Sequence, residues 1–304
     1  MTRTAGWTAN GLHWHGGRPY LSARNGEREH ERPVASGERI GWLLTGPRRC
    51  TGVWLPGEPQ RRPCPHGATI DPAGAAVQCP ACQSADRGLA LARDQILDDG
   101  RTYRLYLAWL GTGLLKVGLT AEQRGTSRLL EQGALAFTFL ARGPLPGIRR
   151  AELTVSGAGL ARERYRGHAK TEGWWHLPAA ERRRDDLAGA RAEALRLLAG
   201  HHRIEHHPDG RITDHVELFG LTDGAPAEYR EVAGLSDGAV LSGALRRPIG
   251  RHLFLDQPDG LPLLLDTRRL AGWTLSATDR PAGPGLDLRP RRRPEAPTTQ
   301  DALF

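Results

Sequence analysis

Lysine is almost missing from this chain. Of 42 lysines and arginines in 304 residues, only Lys116 and Lys170 are lysine, so arginine serves nearly everywhere a cation is wanted and each lysine is a marked choice. Long apolar runs are missing too. Nothing approaches the roughly 18 consecutive apolar residues that a spanning helix requires, and Met1 to Tyr20, rich in Gly, Trp and His, lacks the apolar stretch of a signal peptide. A cytoplasmic protein that does not enter membranes is expected. Aromatic residues make up only 6%, but an apolar share of 39% is ample for a core and excludes collagen, coiled coil and wholesale disorder. Acidic residues are outnumbered 34 to 42, giving a net charge of +8, a balance that attracts phosphate polymers or acidic surfaces.

Cysteine is scarce and concentrated. Its only four copies, Cys50, Cys64, Cys79 and Cys82, fall within about one tenth of the chain. Four thiolates held tetrahedrally satisfy Zn²⁺, and Cys79-Pro80-Ala81-Cys82 has the ligand spacing of a zinc knuckle. A structural zinc ion on these four residues is expected, with no open position for water. The first half is looser, and Cys64-Pro65-His66 allows His66 to replace one thiolate. A redox Cys-x-x-Cys is the rival reading, but no thioredoxin-like βαβ pattern surrounds it.

The periodicity predicts an α+β chain. Leu12 to His15, Pro19 to Ala23 and Arg39 to Leu44 read as short strands leading into the cysteine loop, and a helix is expected over 87–98. A second helix starts near Pro178 and stops at Gly200. Beyond it, Val216 to Leu221, Val240 to Leu245, His252 to Asp256, Leu261 to Asp266 and Trp273 to Ala277 read as the strands of a small all-β module. Residues 280–304 hold prolines and an Arg291-Arg292-Arg293 run and read as a flexible tail. The expected division is a β-rich region with the zinc loop over 1–98, an α/β domain over 99–200, the β module over 201–279 and the tail over 280–304.

The sharpest pattern lies in the middle. Tyr103, Leu105, Leu107 and Trp109 alternate with Arg104, Tyr106 and Ala108, and a second strand runs from Leu114 to Leu119. With Gly111-Thr112-Gly113 as the hairpin loop, Ala108 opposes Lys116 and Tyr106 opposes Gly118, so Tyr106 and Lys116 are diagonal neighbours on one face. Thr120-Ala121-Glu122-Gln123 reads as a capping box opening a helix that runs to about Gln132 and carries Arg124, Arg128 and Glu131 on one face. A phenol, an ammonium and two guanidiniums meeting where a hairpin joins a helix make a phosphate site from Lys116, Arg124 and Arg128. Arg142 to Lys170 adds seven basic against two acidic side chains. Trp174 and Trp175 could stack bases, but tryptophans so placed more often fill a core. The histidines at 201, 202, 206 and 207 read as exposed and incidental.

The order Tyr106-Leu107-Ala108, then Lys116-Val117-Gly118, then an arginine on the next helix resembles the GIY-YIG nuclease superfamily, in a branch whose second tyrosine is lysine. Glu152 within Arg150-Ala151-Glu152-Leu153 matches the superfamily's helix carboxylate, and Glu172-Gly173-Trp174-Trp175 looks like the closing strand of that branch. With four cysteines upstream and Leu130-Glu131-Gln132-Gly133-Ala134 after the arginine, the arrangement is similar to the bacterial domain-of-unknown-function 2797 family over about 40–275. The resemblance implies a GIY-YIG-like α/β core and a metal-dependent endonuclease. In that reading Glu152 holds Mg²⁺ or Mn²⁺, Tyr106 orients or deprotonates water, and Arg128, or Arg124 on the same face, clamps the phosphate with Lys116. Lysine at 116 supplies a point charge but no phenol to relay a proton. Glu152 could instead simply pair with Arg149 or Arg150.

The last residues, Gln300-Asp301-Ala302-Leu303-Phe304, resemble the short peptide by which bacterial repair proteins dock on the replicase sliding clamp, with Gln300 at the rim and Leu303 and Phe304 filling an apolar pocket. A zinc-stabilised protein acting on nucleic acid, DNA above all, is therefore expected. The alternatives are a non-catalytic nucleic-acid-binding or scaffolding module and an enzyme acting on a small phosphorylated ligand.

Overall fold

Alternating apolar residues build two sheets, and the order in which they are used differs from the order of the chain. The computed structural model describes residues 6–26, 28–55, 61–93, 95–96 and 98–294. Four strands come first, β1 (Trp7–His15), β2 (Arg18–Asn25), β3 (Arg28–Pro33) and β4 (Arg39–Thr45). The cysteine loop follows, closed by helices α1 (Pro80–Ala85) and α2 (Arg87–Ala92). The middle of the chain supplies β5 (Thr102–Trp109), β6 (Leu115–Ala121), α3 (Ser127–Glu131), β7 (Ala136–Pro144), α4 (Leu145–Gly157), α5 (Gly167–Glu172), α6 (Ala180–Leu197) and the two-residue strands β8 (Glu205–His206) and β9 (Thr213–Asp214). The last part adds β10 (Glu228–Leu235), β11 (Val240–Leu245), β12 (His252–Asp256), β13 (Leu263–Asp266), α7 (Thr267–Leu270), β14 (Thr274–Ala277) and β15 (Leu286–Arg292). Among the described residues no helix is long and apolar enough to cross a membrane.

The larger sheet has ten strands in the order β15-β10-β13-β12-β11-β4-β14-β1-β2-β3. Strand β4 lies between β11 and β14, and β1 pairs with β14. The N-terminal strands and the late strands therefore do not form two separate modules. Each set alone would leave open edges, and joining them satisfies the backbone groups of β4 on both sides. The expected flexible tail is corrected over 286–292, where seven residues pair with β10 from Leu235↔Leu286 to Glu228↔Arg292. Val216 to Leu221 is a turn and not a strand, because Asp214 accepts a hydrogen bond from Val216 N at 2.8 Å and folds the chain back on itself.

The smaller sheet runs β6-β5-β7-β8, with β9 also paired to β7. Its hairpin has the register read from the sequence, Ala108↔Lys116 and Tyr106↔Gly118. Tyr103, Leu105, Leu107 and Trp109 face helices α4 and α6 through Leu145, Ile148, Ala151, Leu187 and Ala194, whereas Tyr106, Ala108 and Leu110 share the opposite face with Leu129 and Phe137. Three expectations, two of helices and one of a strand, fail for local reasons. Thr120 stays in β6 opposite Arg104, so it caps nothing, and a 3-10 turn with Gly125 at positive φ delays the helix to Ser127. The helix expected over 87–98 is α2 alone, separated from α1 by an extended Asp86 that caps it by accepting from Leu89 N. Glu172 to Trp175 is no strand: α5 ends at Glu172, and Trp174 and Trp175 turn into the core, 1% and 6% exposed.

Candidate functional site

The cysteine cluster is built by close backbone packing. Arg49 bridges Thr69 and Val53 bridges Arg62, folding the loop so that Cys50 and Cys64 approach the start of α1. There Cys79 sits at the helix N-terminus and Cys82 in its first turn. The four Sγ atoms lie within 4.8 Å of one another. Cys64 Sγ and Cys79 Sγ are 3.8 Å apart, too far for a disulfide. That separation matches the edge of a tetrahedron with Zn–S bonds of about 2.3 Å. Gly52 N and Cys79 N both donate to Cys50 Sγ, at 3.4 and 3.2 Å, the kind of contact a thiolate ligand accepts. Burial opposes ionisation of Cys64, but the amides of Ala68 and His66 and the neighbouring thiols draw it down to about 7. The cluster could thus hold a metal such as zinc with four sulphur ligands, and His66 is not needed to complete the set. Asp86 ties the loop together by accepting from Trp54 N and Gln78 Nε2. Arg48, 1% exposed, fastens it to the large sheet by donating to the carbonyls of Ala271, Asp71, Gly74 and Arg268.

The second constellation gathers on the even face of the hairpin. Tyr106 is 1% exposed and hydrogen-bonded to Gln132, whose Nε2 donates to the phenol oxygen at 3.0 Å. Its ring lies over Gly118, where any Cβ would collide with the phenol, which explains the glycine two residues after Lys116. Burial pushes this phenol up, opposed by the field of Arg128. Lys116 Nζ donates to Val117 O at 3.1 Å and to Glu163 O. Burial draws the ammonium down to about 8; Glu152 opposes this, while Arg128 and Lys170 reinforce it. Glu152, from α4, is pushed up to about 7 by burial and by the facing Glu163, with Lys116, Arg149 and Arg164 pulling the other way. Tyr106, Lys116, Arg128 and Glu152 therefore stand within electrostatic reach of one another. Among the described residues, neither Arg128 nor Glu152 has a side-chain hydrogen bond or ion pair of its own. Arg124 pairs with Glu131 at 2.8 Å; both arginines act on the phenol, Arg128 the more strongly, and Arg128 acts on the ammonium as well.

Sequence reasoning missed the other half of this constellation. Lys170, on α5, donates to Gln132 O at 3.2 Å and is drawn down to about 8 by burial, then by Arg268, Arg128 and Arg251. Arg251, before β12, reaches Glu131 at 2.9 Å, so Glu131 accepts from two arginines of different elements. Arg268 pairs with Asp266. The seam is closed by backbone contact. Gly250, at φ +61°, has no room for a side chain because a Cβ there would stand 2.8 Å from Gly133 N, and Trp14 Nε1 donates to Gly250 O at 2.7 Å. The one signal in the sequence was the scarcity of lysine: both lysines of the chain lie in this seam. The histidines at 201, 202, 206 and 207 form no such cluster, with His201 meeting Thr154 and His207 packing on Phe139. Gln300, Leu303 and Phe304 lie outside the described residues.

A family model described as "Protein of unknown function (DUF2797)" matches residues 79–275, more than half of the 304. The chain belongs to that family. No curated protein and no solved structure matches it.

Proposed function

We propose that this member of the DUF2797 family is a nucleic-acid-associated protein, stabilised by zinc on Cys50, Cys64, Cys79 and Cys82, that takes a backbone phosphate, of DNA above all, between Lys116 and Arg128. The observation that carries this reading is Arg128, a guanidinium without a carboxylate partner among the described residues, whose field acts on Lys116 and the Tyr106 phenol. A basic seam of this kind is deficient in anions, and phosphate is the anion that a basic chain meets most often. The likeness of the hairpin and helix residues to the GIY-YIG nucleases extends the reading to phosphodiester hydrolysis. The residues fit a hard divalent cation: Glu152 and Glu163 are two carboxylates whose mutual repulsion a cation would relieve. Mg²⁺ or Mn²⁺ held by Glu152 would supply Lewis-acid polarisation of the phosphate. The chain's own part is to orient the phosphate through Lys116 and Arg128 and to hold the Tyr106 hydroxyl through Gln132.

A second reading, a binding module without hydrolysis, is favoured by the near-complete burial of Tyr106 beneath Gln132, which keeps its hydroxyl from water. Incubation with branched, single-stranded and duplex DNA and with RNA, with Mg²⁺ or Mn²⁺, separates the two. Nicking that Glu152→Ala abolishes supports the nuclease. Salt-dependent binding without nicking supports the binding module, and cleavage that survives Glu152→Ala removes the mechanism. The tail reading adds the sliding clamp as a partner. Deletion of residues 300–304 is expected to abolish clamp capture, and unaltered capture would retire it.

A further inference from the structure

The two lysines mark two neighbouring anion positions rather than one. An ammonium has three N–H donors. Lys116 directs two of its three at the carbonyls of Val117 and Glu163, leaving one. Lys170 directs one at Gln132 O, leaving two. Arg128 directs none at any described residue. The other charged groups around Lys170 are Arg128, Arg251 from the turn before β12, Arg268 from α7, and Asp266. Two carboxylates of this seam are already committed, Glu131 to Arg124 and Arg251, and Asp266 to Arg268. Five cations, Arg124, Arg128, Lys170, Arg251 and Arg268, thus share two carboxylates, and those nearest Lys170 are held together against their own repulsion.

Resting on the phosphate reading above, we infer that Lys170, Arg251 and Arg128 form a second phosphate seat adjoining the Lys116–Arg128 seat, so that the ligand is a chain of consecutive phosphates, the backbone of a single-stranded nucleic acid. Arg128 is shared, as one guanidinium can bridge two phosphates with its five donors. The seat lies where the two sheets meet, so the ligand touches both and its binding depends on their being docked. Small polyphosphates share this chemistry, and the test tells the two sources apart.

The test uses the full chain and a fluorescein-labelled ten-residue oligothymidylate, with anisotropy read across a salt series. Wild-type protein is expected to bind with a steep salt dependence. Lys170→Met and Lys170→Gln, the latter keeping a donor for the Gln132 carbonyl, are each expected to weaken binding at least about tenfold and to make the slope of log K against log salt shallower by about 0.7, the counterions of one phosphate on a single strand. Unchanged affinity and slope in both variants, with wild type binding, would overturn the second seat and leave the first. Absence of salt-dependent binding by the wild type would overturn the phosphate reading as well. Inorganic pyrophosphate displacing the oligonucleotide at equal phosphate concentration would overturn the assignment to a nucleic-acid backbone.

Discussion

The cysteine cluster and the cation seam are the two polar concentrations of this molecule, and they are built on opposite plans. The cluster draws four ligands from one loop, and its surroundings, Asp86, Gln78 and the amides on Cys50, close around it. The seam draws side chains from β5, β6, α3, α4, α5, α7 and the turn before β12, and among the described residues it leaves donors on Lys116, Lys170 and Arg128 without acceptors. A closed set holds the chain together; an open set waits for something from outside. A metal held by all four thiols would have no free position for water or substrate.

Replacing Cys79 and Cys82 together by serine would break the closed side of this contrast most severely. A four-thiolate zinc site contributes free energy on the order of 10 kcal/mol. Metal analysis is expected to fall from one zinc per chain to none, with loss of amide protection through residues 48–86. Zinc retained at full occupancy would refute the ligand set.

The open side carries strain that a neutral substitution should relieve. Because Glu152 ionises near 7 in the fold against an ordinary value of 4.5, the unfolded chain gives up its proton first, and the wild type loses stability between those two pH values. Glu152→Gln is expected to match wild type below pH 4.5 and to exceed it above pH 7 by up to about 3 kcal/mol, seen as a melting-temperature difference that opens across that window. A parallel pair of melting curves would show that Glu152 is not under strain.

Two smaller changes test how the seam is held. Gly250→Ala puts a methyl against the Gly133 amide at a left-handed position and is expected to cost about 2 kcal/mol by denaturant unfolding. Asp266 works with the opposite sign to Glu152. Burial would raise it, but the hydrogen bonds from Arg268 and the field of His252 hold it at about 2. It therefore stabilises the fold above its ordinary 3.8 and ceases to do so as pH falls through 2. Asp266→Asn is expected to cost about 1 kcal/mol at pH 7 and nothing near pH 2, a small figure because Arg268 is largely exposed.

The Cys79/Cys82 half of the cluster and the hairpin register were legible because each is local: Cys-x-x-Cys spacing and period-two alternation act within a dozen residues. Lys116 beside Tyr106 followed from the same short-range rules, whereas Glu152 came only from the likeness to the GIY-YIG nucleases. The other half of the seam did not, since Arg251 and Arg268 look like any other arginine in an arginine-rich chain, and only the packing of α3 and α7 on β1 and of Gly250 on Gly133 gives them a role. The strand of 286–292 was hidden for a similar reason. Leu286, Leu288 and Pro290 alternate too weakly among arginines to read as a strand, and it is the pairing with β10 that makes them one.

The interleaving of β4 between β11 and β14 bears on how the molecule is made. A ribosome delivers β4 about two hundred residues before either neighbour exists, so β4 cannot take its place in the sheet until the late strands have been made. The seam, which needs both sheets, is the last part to be assembled. Any truncation that removes the late strands would leave β4 and one edge of β1 without partners and the proposed phosphate seats half built.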